Sequence, residues 1–228
     1  QDPRWRYGAP PAGNANYGWI QHMLHHLSPL GTMATVLANG SLSSQQNGEG
    51  DIRKNLVEKD LVECIVALPP QLFFGTQIPV CLWFLTKNKE GTPNGAKTRK
   101  RSRETLFIDA RQIGFMETRT VRAFTDDDVN KIADAYHAWR GTDTSNGEPY
   151  SDVAGFCRAV TTHEVAQSGY VLTPGRYVGA EDVEDDGEPL DEKIARLTSE
   201  IRDGFKKRED LQTKVLSSLD ALLVPTVE

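Results

Sequence analysis

The sequence predicts an α/β fold in which apolar strands and helices alternate. Apolar runs at Thr32–Ala38, 62–68 and 78–86 predict buried strands, and residues 51–59 form a predicted helix between the first two. This strand–helix–strand order is typical of a crossover unit in a parallel sheet. The loop between the last two strands has only about nine residues, which predicts an antiparallel hairpin. The first strand shows no alternation, so we expect it to be covered on both faces.

Further helices and one further strand are predicted around this sheet. Residues 15–29 carry apolar side chains at helical spacing, and residues 125–139 begin at Thr125, a suitable N-cap. The three aspartates that follow Thr125 lie where the helix dipole favours negative charge. A short strand is predicted at 105–109. The sheet is therefore predicted to continue beyond the hairpin.

Three regions are predicted along the chain. Residues 1–112 hold the sheet, residues 113–180 form a helical and extended region, and residues 181–228 hold an acidic linker and a long helix. The long helix carries an apolar stripe, which requires a partner helix in the same chain or in another. The stripe consists of Leu190, Ile194, Leu197, Ile201, Leu211, Val215, Leu219 and Leu222.

Composition and charge limit the possible functions. The chain has 228 residues, a net charge of -6 and a mean hydropathy of -0.48. No apolar run approaches the roughly 20 residues that a membrane helix needs, and the first residues do not resemble a secretory signal. We therefore expect a cytoplasmic protein without a membrane partner. A protein that binds nucleic acid over its whole surface is usually basic, so any DNA contact here is expected to be local or shared with a partner.

Neither the cysteines nor the histidines predict a metal site. Cys64, Cys81 and Cys157 lie far apart without a CxxC pair, which favours buried thiols in a reducing compartment. His22 and His26 are one helical turn apart, a spacing compatible with metal binding. No carboxylate or further ligand accompanies them in a recognised motif, so packing or a polar helix face is the preferred interpretation.

Several segments, taken in order, resemble a known family. The sequence is similar to the modification subunit of type I restriction–modification systems, an adenine-N6 DNA methyltransferase that uses S-adenosylmethionine. The segments that carry the resemblance are GNANYGWIQHMLHHL (13–27), GTMATVLANGSLSS (31–44), DIRKNLVEKDLVECIVALPPQLFFGTQIPVCLWFLTK (51–87), LFIDAR (106–111), TDDDVNKIADAYHAWR (125–140) and GYVLTPGRYVG (169–179).

The resemblance implies the C-terminal part of a Rossmann-like methyltransferase sheet, with its terminal antiparallel hairpin, followed by a helical C-terminal region. The family's glycine-rich cofactor loop and its Asn/Asp-Pro-Pro-Phe/Tyr catalytic tetrad do not occur in this sequence; Pro10–Pro11 lies between two alanines. We therefore expect no catalytic and no cofactor-binding residue in this chain, and no activity from it alone. S-adenosylmethionine is expected only in the intact enzyme.

The resemblance also implies partners. DNA is the substrate, the specificity subunit reads its sequence and docks on the C-terminal helices, and the restriction subunit belongs to the same system. Self-association through the C-terminal helix or through a truncated sheet edge is an alternative. A non-catalytic DNA- or partner-binding module and one half of a split methyltransferase are the alternative functions.

Phe73 and Phe74 lie in the hairpin loop, where a simple turn would carry polar residues. In related adenine methyltransferases an aromatic residue of this loop packs against the flipped adenine. The resemblance assigns this role to Phe73, with Phe74 as the alternative. The competing interpretation is that both rings fill the core beneath the hairpin.

A basic run is the second candidate for DNA contact. Such a run can bind phosphates without regard to base sequence, or can form an exposed loop without function. It consists of Lys97, Arg99, Lys100, Arg101 and Arg103. Asn39, Gly40 and Ser41 follow a strand at the end where α/β sites form, so they are predicted to lie near the pocket or to form a plain turn.

Overall fold

The computed structural model describes residues 2–91, 98–142, 144, 147–180 and 190–223, and the side chains of the last helix from 194 to 219. Two compact units are present, residues 1–182 and residues 183–228. The helices are α1 (Asn16–His26), α2 (Glu49–Glu58), α3 (Asp126–Arg140), α4 (Thr162–Gln167) and α5 (Leu190–Leu223). The strands are β1 (Thr32–Ala38), β2 (Val62–Ala67), β3 (Val80–Thr86), β4 (Glu104–Asp109), β5 (Phe115–Met116), β6 (Arg122–Ala123) and β7 (Cys157–Thr161).

The first unit is built on a mixed sheet with the strand order β1-β3-β2-β4-β7. β3 runs antiparallel to both β1 and β2, which confirms the predicted hairpin. β2 and β4 are parallel, and β7 pairs antiparallel with β4. The predicted crossover unit is therefore only partly correct, because β1 and β2 run in the same direction but β3 lies between them.

The prediction that β1 is covered on both faces is wrong. β1 is an edge strand of the described sheet, and its side chains alternate between buried and exposed positions. Met33 is buried against the core, whereas Val36 is 47% exposed. Among the described residues, the outer edge of β1 and part of one face of the sheet therefore have no partner, although β1 is largely apolar.

Two apolar cores lie on the two faces of the sheet. One contains Tyr17, Ile52 and Val165, which bring α1, α2 and α4 against residues such as Trp83 of β3. The other contains Trp139 of α3, packed with cysteines and aliphatic side chains of β2, β4 and β7. The arrangement is a three-layer α/β/α sandwich, as expected for a sheet whose strands are apolar on both sides.

Local signals explain the bounds of α3. The Thr125 hydroxyl accepts from the Asp128 N–H at 3.1 Å, and the Asp128 carboxylate accepts from the Thr125 N–H at 2.8 Å. This reciprocal pair confirms Thr125 as the N-cap. Gly141 ends the helix at φ +74°, where glycine has no steric penalty.

Residues 113–180 share the sheet with residues 1–112. They supply β7 and α4, neither of which the sequence pattern predicted, and β7 pairs with β4 over five residues. Among the described residues, one compact unit therefore includes both of these ranges, and the three-part division stays a prediction. Among the described residues, no helix has both the length and the apolar character needed to cross a membrane.

Candidate nucleic-acid interface

The loop that joins β2 to β3 presents two aromatic rings to solvent. Leu68 N–H donates to the Val80 carbonyl at 2.9 Å and closes the base of the loop. At its tip, the Thr76 N–H donates to the Phe73 carbonyl at 3.4 Å, which folds Phe74 and Gly75 into a tight turn. Phe73 is 44% exposed and Phe74 is 99% exposed. The interpretation that both rings fill the core is wrong, because both side chains are exposed to solvent.

The turn after β1 adjoins this loop. Asn39 N–H donates to the Pro79 carbonyl at 3.4 Å, so the turn lies beside the end of the aromatic loop. Ser41 is buried and structural: its hydroxyl accepts from Trp83 Nε1 at 3.1 Å, and its carbonyl accepts from the Tyr17 hydroxyl at 2.5 Å. Asn39 Oδ1 is buried without a hydrogen-bond partner among the described residues. Asn39 therefore has an unsatisfied side-chain acceptor at this edge among the described residues, whereas both oxygens of Ser41 accept hydrogen bonds.

Burial around Ser41 perturbs the nearby titratable side chains. Loss of solvent raises the pKa of Tyr17 from 10.0 to about 12, and the neighbouring Arg53 opposes this effect only in part. Loss of solvent likewise raises the pKa of Cys81 to about 11. Cys81 is therefore a thiol at neutral pH, which favours a packing role over a nucleophilic one.

A small hairpin lies on the other side of the aromatic loop. β5 and β6 form this hairpin, and the Arg122 N–H of β6 donates to the Gln71 carbonyl of the loop at 2.8 Å. The Arg122 guanidinium donates to the carbonyls of Ile113 and Gly114 at 3.2 and 3.1 Å. Phe115 and Met116 are about half exposed, at 48% and 42%. Three segments thus meet at the carboxyl ends of β1 and β2.

The basic run is organised differently from the expectation. Arg101 is buried, and its guanidinium donates through Nε and a terminal nitrogen to Glu63 Oε1 at 3.1 and 2.7 Å. Because Arg101 is 1% exposed, it cannot reach a DNA phosphate, and its assignment as a DNA contact is wrong. Lys97 lies outside the described residues.

The other basic residues of the run are partly exposed and paired. Arg99 donates to Glu104 Oε2 at 2.7 Å and to the Trp139 carbonyl. Lys100 pairs with Glu90 at 2.6 Å. Arg103 donates its N–H to Asp60, and its guanidinium lies 3.9 Å from Glu58. Carboxylates thus neutralise much of the positive charge of this run.

The structure does not bring the basic run and the aromatic loop together. Arg103 immediately precedes β4, which starts beside the beginning of β2, whereas the aromatic loop follows the end of β2. The six residues of β2 separate the two regions by about 20 Å, at roughly 3.3 Å per residue. The aromatic loop therefore has to find its phosphate contacts elsewhere.

The histidines of α1 contact one another and the N-terminal segment. The rings of His22 and His26 lie 4.5 Å apart, and His22 Nδ1 is 3.1 Å from an Arg4 guanidinium nitrogen. A guanidinium beside an imidazole disfavours a bound cation at that nitrogen. Within the described part of the chain, no three His, Cys, Asp or Glu side chains are arranged to hold a metal ion.

One protein family and several relatives match most of this chain. The family described as N-6 DNA methylase matches residues 1–186. The chain is 52% identical to the type I restriction enzyme HindI methylase subunit of Haemophilus influenzae, over 97% of this chain and 46% of the relative. It is 40% identical to the MjaIX methylase subunit of Methanocaldococcus jannaschii, over 97% of this chain and 38% of that relative.

A solved structure shows the same fold. The crystal structure of the type I restriction-modification methyltransferase subunit from Streptococcus thermophilus matches 78% of this chain and 33% of its own length. The TM-score is 0.64 and the sequence identity is 29%. The present chain therefore spans less than half the length of the relatives it matches.

Proposed function

This chain belongs to the N-6 DNA methylase family, and from that premise we propose that it forms part of a type I adenine-N6 DNA methyltransferase. The intact enzyme would transfer a methyl group from S-adenosylmethionine to N6 of an adenine in DNA. The observation that carries the proposal is the exposed pair Phe73 and Phe74 at the carboxyl end of the sheet, where α/β proteins bind their ligands.

The role of the aromatic loop is to hold the target base. A methyltransferase must remove its base from the stack, which costs a few kcal/mol. Stacking on an aromatic ring returns roughly 1–3 kcal/mol per base. Phe73 is the better candidate because its carbonyl accepts a hydrogen bond from the Thr76 N–H, which holds Phe73 in the turn. The Phe74 side chain, by contrast, is almost fully exposed. Phe74 remains the alternative.

The residues in this chain do not make a cofactor pocket by themselves. S-adenosylmethionine supplies the electrophilic methyl group when it is bound, and the family binds it through a glycine-rich loop that this sequence lacks. The position of β1 at the edge of the described sheet, with its exposed side chains, fits a sheet that continues into a further part of the enzyme. We therefore propose that these 228 residues neither bind the cofactor nor methylate DNA on their own.

The exposed stripe of α5 supports a subunit partner. Its described apolar side chains are 42–59% exposed, and they line one side of a single helix of 34 residues. Such a helix is stable in water when a partner covers the stripe. The specificity subunit is the proposed partner, and the restriction subunit would join the same complex.

Complementation tests the proposal. The 228-residue chain is assayed alone, and again after co-expression with the amino-terminal part of the HindI relative. Alone, calorimetric titration with S-adenosylmethionine should give no binding heat and labelled methyl transfer to DNA should be absent. The complemented protein, together with its specificity subunit, should methylate adenine.

Two results would contradict the proposal. Micromolar cofactor binding by the chain alone would place the cofactor pocket within these residues. DNA binding without methylation in the complemented protein would favour a non-catalytic binding module.

A further inference from the structure

The surface beside the aromatic loop carries positive charge that is not neutralised. Residues 109–123 contain three arginines, one aspartate and one glutamate, a net charge of +1 in a chain of net charge -6. Arg111 is paired with Asp109 at 2.6 Å. Arg119, by contrast, is exposed and makes no ion pair or side-chain hydrogen bond with any described residue. Among the described residues, the hairpin therefore carries a cation without a carboxylate partner. The described members of the basic run pair with carboxylates: Arg99, Lys100, Arg101 and Arg103.

The tip of the hairpin is held in one conformation. The Thr118 hydroxyl accepts from the N–H groups of Thr120 and Val121 at 3.3 and 3.0 Å, and these bonds enclose Arg119. The Glu117 N–H donates to the Val121 carbonyl at 3.0 Å and extends the ladder of β5 and β6. Because the backbone is ordered by its own bonds, binding through Arg119 requires ordering of one side chain only.

The base of the hairpin depends on a glycine. Gly114 has φ +88°, and a Cβ there would lie 2.6 Å from the Ala123 carbonyl oxygen. Only glycine fits this position without a backbone shift. The close approach of Gly114 to the Ala123 carbonyl thus depends on glycine at this position.

The hairpin and the aromatic loop share one surface. The Arg122 N–H donates to the carbonyl of Gln71, which lies two residues before Phe73. Arg119 is three residues from Arg122, so their Cα atoms are about 10 Å apart at most. Arg122 Nε is buried without a hydrogen-bond partner among the described residues. Phe115 and Met116 lie on the same hairpin and are half exposed.

We propose that the β5–β6 hairpin is a DNA-backbone contact, in which Arg119 binds a phosphate near the flipped adenine and Phe115 and Met116 pack on the adjoining sugar. The occupant is duplex DNA because the patch combines a free guanidinium with apolar surface beside the base-holding loop. Duplex DNA carries one negative charge per about 1.7 Å of its axis, so a hairpin of this size reaches several phosphates. This inference rests on the proposed methyltransferase function for its substrate.

The test uses the complemented methyltransferase described above with its specificity subunit. The variants are Arg119→Glu, Arg119→Ala and the charge-preserving Arg119→Lys. Lys59→Glu is the control. Lys59 is exposed at the C-terminal end of α2, and its substitution by glutamate changes the charge by the same amount as Arg119→Glu. Affinity for a fluorescent duplex is measured by anisotropy at several salt concentrations, and methyl transfer is measured on the same preparations. Circular dichroism melting verifies that each variant is folded.

The proposal predicts a specific pattern of DNA affinities. Arg119→Ala should weaken DNA binding roughly threefold to tenfold and reduce the salt slope by about one, and Arg119→Glu should weaken it further. Arg119→Lys should bind DNA within about twofold of the unchanged protein, because it keeps the positive charge that contacts the phosphate. Lys59→Glu should also stay within about twofold, because its charge lies away from the hairpin.

The outcomes separate this inference from the proposed function. If both Arg119→Glu and Lys59→Glu methylate DNA and bind it with equal affinity, the hairpin contact is overturned. The proposed methyltransferase function is then retained. If Arg119→Glu instead releases the specificity subunit at unchanged DNA affinity, the surface binds protein and the DNA contact is overturned. DNA binding that depends on Arg119 without methylation would support the contact and reject the methyltransferase. Absence of both activities would reject both.

Discussion

Arg101 and Glu63 form a buried ion pair at the start of β2. Two guanidinium nitrogens of Arg101 lie 2.7 and 3.1 Å from Glu63 Oε1, and the two side chains are 1% and 0% exposed. The Tyr136 hydroxyl donates to Glu63 Oε2 at 3.0 Å, so both carboxylate oxygens accept hydrogen bonds. The pair ties the segment before β4 to β2, and a residue expected at the DNA surface is thereby part of the core.

We predict that Arg101→Met lowers the free energy of unfolding by about 3–5 kcal/mol. The reason is that the buried Glu63 carboxylate loses its main cationic partner, and a buried unpaired charge is expensive. Urea denaturation of the 228-residue chain, followed by circular dichroism, measures this change.

Lys100→Met is the matched control, because Lys100 is exposed and its ion pair among the described residues is the surface pair with Glu90. Its effect should stay below about 1 kcal/mol. Replacing Glu63 and Arg101 together by Leu and Met should recover much of the loss. A loss of equal size for Lys100→Met and Arg101→Met would show that the pair is not what holds this segment.

Local signals in the sequence were sufficient for most elements of the first unit. The Thr125 cap, the apolar runs of β2 and β3, and the short loop between them each act within a few residues, and the structure confirms them. The insertion of β3 between β1 and β2 was not predictable in this way, because strand order depends on long-range pairing. β7 was missed because its residues, CRAVT, are too few and too mixed for a clear pattern.

In the candidate site, too, some features follow from local sequence and others depend on long-range contacts. The exposure of Phe73 and Phe74 was suggested by their position in a turn, a local property. The burial of Arg101 was not, because five basic residues within seven positions look like a solvated run. The contact of Arg101 with Glu63 joins the segment before β4 to β2, 38 residues earlier in the sequence, and no local pattern predicts it. The charge on Arg119 was visible in the sequence, but its nearness to the aromatic loop was not.

We predict that the stability of the chain falls as the pH rises from 10 to about 12, in part because of Tyr17. Burial raises its pKa from 10.0 to about 12, so the folded protein keeps a proton that the unfolded chain loses above pH 10. The stabilising contribution is therefore complete below pH 10 and disappears as the pH approaches 12, at roughly 1.4 kcal/mol per pH unit. Urea denaturation at pH 8, 10, 11 and 12 measures the slope.

Tyr17→Phe separates this residue from the other buried tyrosines. The variant should lose about 1 kcal/mol at pH 8, because the Ser41 carbonyl loses its hydroxyl donor. Its stability should then fall less steeply than that of the unchanged chain between pH 10 and 12. Parallel curves for the two proteins would rule out Tyr17 as a source of the alkaline loss.

We predict that Phe73→Ala reduces kcat/KM for adenine methylation roughly tenfold to a hundredfold in the complemented enzyme. Removal of one stacking ring forfeits about 1–3 kcal/mol of base binding, and the flipped state is the reactive one. A duplex with 2-aminopurine at the target position reports base flipping by fluorescence, and the variant should give a weaker signal.

Ile78→Ala is the matched control, since Ile78 is an exposed apolar side chain of the same loop. It should change kcat/KM by less than about threefold, because an aliphatic side chain offers no stacking face. A large loss for Phe74→Ala with little change for Phe73→Ala would transfer the role to the neighbouring ring. Unchanged flipping in both phenylalanine variants would contradict the assignment of this loop.

We predict that Ile201→Asp in α5 weakens binding of the specificity subunit by at least tenfold. Ile201 is 59% exposed on the apolar stripe, and burying an isoleucine contributes roughly 1.5–3 kcal/mol, which an aspartate would replace by a desolvation penalty. Ser199→Asp is the control, because position 199 lies about 160° around the helix from position 201 at 100° per residue. Analytical ultracentrifugation of the chain, alone and with the specificity subunit, measures both association and self-association.

Dissociation of a homodimer by Ile201→Asp, with unchanged binding of the specificity subunit, would show that the stripe pairs two copies of this chain. Equal affinity of both variants in both assemblies would mean that the stripe has another partner.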